Sequence, residues 1–318
     1  MARARKLSDT ALAKRLEEAL GPLHETLDFA GELRQSRRHP QDALILLCSR
    51  LDALGNWLDR WPTNRESFVE FVCLYGGHEE LMRGVSLGNL YQDLRYYEWL
   101  TPGGLVEAPG RLRRFSPADI PIIRFLDQSE IPLTEKAIQG LFRRMSRTVM
   151  KRFRASPRQP KGKREVAPLG EVKRVLGDGF DTPRWRRVRA PILEASGPLL
   201  KTYTLADILY REFRCESIHG LAAIDAKRFF NEARPYWRVW HAIHGYEFLL
   251  VEFPAAFIEE LLRNALERVR SEVLARRLLP PEIHNRVFPG EGLDWLDYLD
   301  VDALPDIQPV RLALRDRG

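Results

Sequence analysis

Between Pro40 and Pro62 the leucines Leu44, Leu47, Leu51, Leu54 and Leu58 recur at alternating steps of three and four. That period matches one face of an α-helix and cannot be satisfied by a β-strand, whose side chains alternate every two residues. Pro40 suits the first helical turn and Pro62 stops the helix. The same spacing returns in Thr134–Arg154, with Ile138, Leu141, Met145, Val149 and Phe153 on one stripe. It returns again in Pro254–Leu279, where Phe257, Leu261, Leu262, Leu266, Val269 and Val273 face one way before Pro280-Pro281. Further helices are predicted over residues 8–35, capped at Ser8 or Asp9, over Arg65–Tyr75 ahead of Gly76-Gly77, over Glu79–Leu100 and over Leu199–Gly220. Apart from the ambiguous YEFLLVEF at 246–253, no run alternates apolar and polar residues. The glycines and prolines of Thr101–Pro121 predict a loop. The expected fold class is therefore all-α: a helical bundle interrupted by an inserted basic helical segment.

The predicted organisation is a polar N-terminal helix in residues 1–39, the first half of a bundle in 40–100 and an inserted loop and basic helical element in 101–194. The second half of the bundle follows in 195–288, and an acidic tail in 289–318. With 44% hydrophobic and 30% charged residues, the 318-residue chain has the composition of a folded protein and not of a disordered one. Its three cysteines, Cys48, Cys73 and Cys215, form no CxxC pair and no disulfide framework, which suits a reducing compartment. The opening MARARKLSDTALAKRLEEAL turns polar and helical instead of entering an apolar signal core. No apolar stretch approaches the roughly 18–20 residues that span a bilayer, so a soluble, cytoplasmic protein with no membrane partner is expected.

Charge is concentrated. From Arg143 to Arg164 there are ten Lys or Arg and no Asp or Glu, so this stretch carries +10 while the whole chain sums to +6. Arg143, Arg144, Arg147, Lys151, Arg152, Arg154, Lys161, Lys163 and Arg164, interspersed with phenylalanine and flexible prolines, are the expected contacts to a phosphate backbone. The competing reading is a solvated helix face and linker covered by the acidic tail.

No Gly-rich phosphate loop, HExxH or EF-hand spacing is read from the sequence, and no serine is expected to sit in a GxSxG elbow. His241 and His244 at i, i+3, with Glu247, are residue types that ligate metals, but no Cys or second carboxylate is placed to complete a site. Packing by Tyr236, Trp237 and Trp240 is the preferred account of that stretch, and neither metal nor cofactor is expected. Five Arg-x(4–6)-His pairs occur where chance predicts about three, so spacing alone identifies none of them.

Context separates one pair. LADILYREFRCESIHG, residues 205–220, sets Arg214 and His219 behind Tyr210, and together with CSRLDALGNW at 48–57 it resembles the HEPN (higher eukaryotes and prokaryotes nucleotide-binding) family. The resemblance implies a helical bundle, a homodimer, and metal-independent RNA cleavage by the motif arginine and histidine of both protomers, in a defence or toxin setting. Carried over, Arg214 and His219 are the catalytic pair. Cys215 departs from the pattern, since catalytic members often have a polar residue there. Imidazole titrates near neutrality, as proton transfer to and from a ribose 2′-hydroxyl requires, and guanidinium offers a fixed fork to the phosphate. On an ideal helix Arg214 and His219 stand roughly 140° apart, so a distorted helix end or a two-fold axis must bring them together. Asp207, Tyr210 and Arg214 share one face, which makes Asp207 and Tyr210 candidate supports for the guanidinium. The alternative is a non-catalytic helical protein that binds nucleic acid through 143–164.

Overall fold

Four long helices close around one apolar core in the computed structural model, which describes residues 8–35, 40–58, 61–94, 106–107, 114–115, 144, 147–148, 151, 165–179, 197–214, 234–241 and 247–276. Helix α1, Asp9–Gln35, starts at Ser8, whose Oγ accepts the Ala11 N–H at 3.2 Å. It buries Leu12, Leu16, Leu20, Leu23 and Leu27. Helix α2, Pro40–Trp57, buries the whole leucine stripe that its period predicts, Leu58 included. Helix α3, Asn64–Tyr75, begins at Thr63, whose hydroxyl accepts the Glu66 N–H at 3.2 Å and donates to the Glu66 carboxylate at 2.9 Å.

The chain then breaks where one helix, Glu79–Leu100, is expected. Helix α4 covers only Glu79–Met82, strand β1 is Val85–Ser86, and helix α5 is Leu87–Leu94. The break has a steric cause. Strand β4, Val166–Ala167, pairs antiparallel with β1, and a Cβ at Gly84 would lie 2.0 Å from Val166 Cγ1. Gly84 O also accepts the Leu205 N–H at 3.1 Å, so the backbone there serves a neighbouring segment and not a continuing helix.

Between β1 and β4, strands β2, Val106–Glu107, and β3, Arg114–Phe115, pair antiparallel within a stretch expected to be loop. Of the basic helix predicted over Thr134–Arg154, Arg144, Arg147, Thr148 and Lys151 are helical, and the other positions lie outside the described residues. Helix α6, Leu169–Gly179, follows β4 and buries Val172, Val175 and Leu176; the sequence reading assigned no helix to it.

The helix expected over Leu199–Gly220 is also divided. Residues 197–201 are helical, Thr204 bridges to Val85, helix α7 is Leu205–Ile208, and Leu209–Arg214 is a π-helix. Residues 215–220 lie outside the described residues. Strands β5, Tyr236–His241, and β6, Glu247–Glu252, form an antiparallel hairpin with Trp237 opposite Val251 and His241 opposite Glu247. His241 thus lies on a strand, while His244 lies outside the described residues. The hairpin also resolves YEFLLVEF as strand, in keeping with its β-branched and aromatic content.

Helix α8, Ala255–Arg276, completes the bundle by packing against α1, α2 and α3. Phe257, Leu261, Leu262, Leu266, Val269 and Val273 are all buried, as their spacing predicts. At the end of α3 the chain turns through Gly77, with φ at +85°, and Asn264 of α8 donates from Nδ2 to Gly76 O at 2.9 Å. The protein is thus mostly helical, with three two-stranded ladders among the described residues. No helix among those residues is long and apolar enough to cross a membrane.

Leu51 is fully buried at the centre of this core. Leu51→Ala is expected to cost about 3 kcal/mol, read from the shift of a urea unfolding midpoint at unchanged slope.

Candidate functional site

Thr204 starts the segment that carries the predicted motif. Its hydroxyl donates to Lys201 O at 2.8 Å and accepts the Asp207 N–H at 3.4 Å, which caps α7. Asp207 follows in the first turn, where the helix dipole favours a carboxylate. Its side chain is 3% exposed, and a carboxylate so deeply buried requires charged partners.

Two arginines supply them. Arg65 of α3 donates from Nε to Asp207 Oδ1 at 2.6 Å and sets Nη2 2.5 Å from the same oxygen. Arg211, one turn on from Asp207, donates from Nε to Oδ2 at 2.9 Å and from Nη2 to Thr202 O at 2.8 Å. The carboxylate is therefore held from both sides, while the guanidiniums reach outward: Arg65 is 46% exposed and Arg211 34%. Two guanidiniums thus converge on one carboxylate.

Tyr210 is half-buried, packs on the core and stands 5.6 Å from Phe68, centroid to centroid. Arg214 is the last residue of the π-helix. The described geometry ends there for its backbone and excludes its side chain, and His219 lies outside the described residues. The wider π turn, bonded five residues back, shifts the phase on which Asp207, Tyr210 and Arg214 were placed together. The two oxygens of Asp207 are engaged by Arg65 and Arg211.

Of the basic run, Arg144 is half-buried and helical, with its carbonyl accepting from Thr148 Oγ1 at 2.9 Å, and Arg147 and Lys151 are exposed. Arg143, Arg152, Arg154, Lys161, Lys163 and Arg164 lie outside the described residues, as does the acidic tail.

Gly84-Val85-Ser86-Leu87-Gly88 does carry the GxSxG spacing, at a strand-to-helix junction, which corrects the reading made from sequence. Ser86 is fully buried, donates to Asn89 Oδ1 at 2.6 Å and accepts from Trp237 Nε1 at 3.1 Å. That hydroxyl ties α5 to the β5–β6 hairpin and is no exposed nucleophile. Among the described residues no group of three or more His, Cys, Asp and Glu is arranged to hold a metal ion.

Sequence reasoning missed Arg65. Its partner lies 142 residues away, and no local signal joins them. Arg211 was within reach, because Asp207 and Arg211 have the i, i+4 spacing of a helical ion pair. Comparison of the chain with protein-family models, with curated proteins and with solved structures yields no match.

Cys73, buried on α3, has its thiol pushed up to about 12 by burial, against the attraction of Arg83. It is expected to resist iodoacetamide at pH 8 in the folded protein and to react once urea unfolds the chain, as followed by peptide mass spectrometry. The unfolded chain releases this proton from its ordinary 9.0 while the folded chain holds it to about 12. Cys73 therefore lowers stability as pH rises through that window.

Proposed function

We propose that this chain is a ribonuclease that cuts RNA through attack of a ribose 2′-hydroxyl on the adjoining phosphate, with Arg214 and His219 as its reacting side chains. The observation that supports the reading is the π-helix Leu209–Arg214, whose backbone ends at the motif arginine and follows a turn anchored through buried Asp207. Such widened turns cost hydrogen-bond regularity and recur at functional sites. His219 takes the 2′-hydroxyl proton and returns one to the departing 5′-oxygen. Arg214 holds the phosphate and offsets the charge that grows on its non-bridging oxygens. The products are a 2′,3′-cyclic phosphate and a 5′-hydroxyl. A homodimer brings the two motifs together across a two-fold axis, which relieves the angular separation of the pair on one helix.

The test is cleavage of a labelled RNA in the presence of a chelator. Arg214→Ala and His219→Ala are each expected to lower the rate by about 10²–10⁴-fold, and a wild-type light-scattering mass is expected at twice that of one chain. Full activity in both variants rules out this mechanism.

A second reading, RNA binding without cleavage, is favoured by the exposed Arg147 and Lys151, four apart on helical backbone. On that reading no RNA is cut. Neutralising Arg143, Arg144, Lys151 and Arg152 together then weakens RNA binding and flattens its salt dependence, measured by fluorescence anisotropy.

A further inference from the structure

We infer that Arg65 and Phe68 of α3 form a register lock on the motif segment: they hold Asp207 and Tyr210 against α3 while the π-helix carries the backbone of residue 214 off that face. Arg65 is thereby a positioning residue. The lock stands on geometry alone, and its part in cleavage rests on the ribonuclease reading.

Three observations carry it. First, the contacts match in spacing. Arg65 and Phe68 are three apart on α3, and Asp207 and Tyr210 are three apart on the segment they meet. Arg65 Nη2 lies 2.5 Å from Asp207 Oδ1, and the Phe68 and Tyr210 rings are 5.6 Å apart between centroids. Residues three apart share a helix face, so two such contacts fix rotation as well as position. Second, the tie falls on a group that must be paired. Of the two charged partners of buried Asp207 among the described residues, Arg211 belongs to the same segment, so Arg65 is the one that joins the carboxylate to another element. Third, Leu209–Arg214 holds neither Gly nor Pro, and its residues are all compatible with an ordinary α-helix. The π form is therefore selected by packing and not by local sequence, and α3 packs on α7 and on the π-helix alike. On an α-helix positions 207, 210 and 214 fall on one face. With 207 and 210 kept on α3, the widened turn separates 214 from them.

Backbone amide exchange read by mass spectrometry tests the lock in the intact chain, with α8 peptides as internal reference. Arg65→Gln is expected to speed exchange at Leu209–Arg214 about tenfold while α8 stays unchanged, and Arg65→Lys to restore most of the protection. Phe68→Leu, which keeps the core apolar, is expected to act on the same peptides and decides if Arg65→Gln does not fold. The positioning role is read from cleavage of a labelled RNA: Arg65→Gln is expected to lower kcat about tenfold at unchanged KM and salt dependence, with Arg65→Lys recovering it. Unchanged exchange at Leu209–Arg214 in folded variants, or exchange that rises equally in α8, overturns the lock. A raised KM with a shallower salt slope makes Arg65 a phosphate contact and overturns the positioning role, as does full kcat alongside faster exchange. Absence of cleavage by the wild type removes the ribonuclease reading and the positioning role with it, and the exchange measurement still decides the lock.

Discussion

The bundle depends on a helix that arrives late in the chain. Helix α8 packs on α1, α2 and α3, which also pack on one another, so the core is closed by residues 255–276 returning to the early helices. Bringing such distant segments together costs loop-closure entropy, which grows only slowly with the length of the intervening chain. The return is secured by burial of Phe257, Ile258, Leu261 and Leu262 and by polar contacts that select one register. Examples are Asn264 on the Gly76 carbonyl, Tyr75 on Glu272 and His78 on Glu260 at 2.9 Å.

The motif segment is tied to this frame by charge. Asp207 is the link: its carboxylate joins α3 through Arg65 to the helix that ends in Arg214. A buried carboxylate left alone destabilises a fold strongly, whereas one clasped by two arginines fixes their direction. The same contacts settle the carboxylate and hold α3 to α7. Ser86 makes an analogous link with neutral partners, joining α5 and the β5–β6 hairpin through Asn89 and Trp237.

Where burial follows a single helical period, the sequence was readable. α1, α2, α3 and α8 were all legible from leucine and phenylalanine spacing, and Pro40 and Gly76-Gly77 marked their ends. Legibility failed where a distant segment decides local structure. Glu79–Leu100 reads as helix until Val166 is seen occupying the space beside Gly84. Likewise, Leu199–Gly220 is divided at Thr204 by its bridge to Val85. At the candidate site, Arg214 was named from a resemblance and Asp207 and Tyr210 from helical spacing. Arg65 was not, since an ion pair between segments 142 residues apart leaves no periodic trace. The GxSxG string at Gly84–Gly88 was present and overlooked, and packing shows that its hydroxyl is sealed from water.

The β1–β4 ladder has a consequence for how this protein tolerates change. Residues 85–86 and 166–167 lie side by side, so the two ends of the chain between them meet at one narrow doorway, with α5 packed on β6 just beyond it. Length added or removed beyond that doorway alters closure entropy by only about 0.6 kcal/mol per doubling. Val166 seated against Gly84 acts as the latch that holds those two ends together. Variation among related chains should then gather inside the doorway while the latch pair stays small against branched.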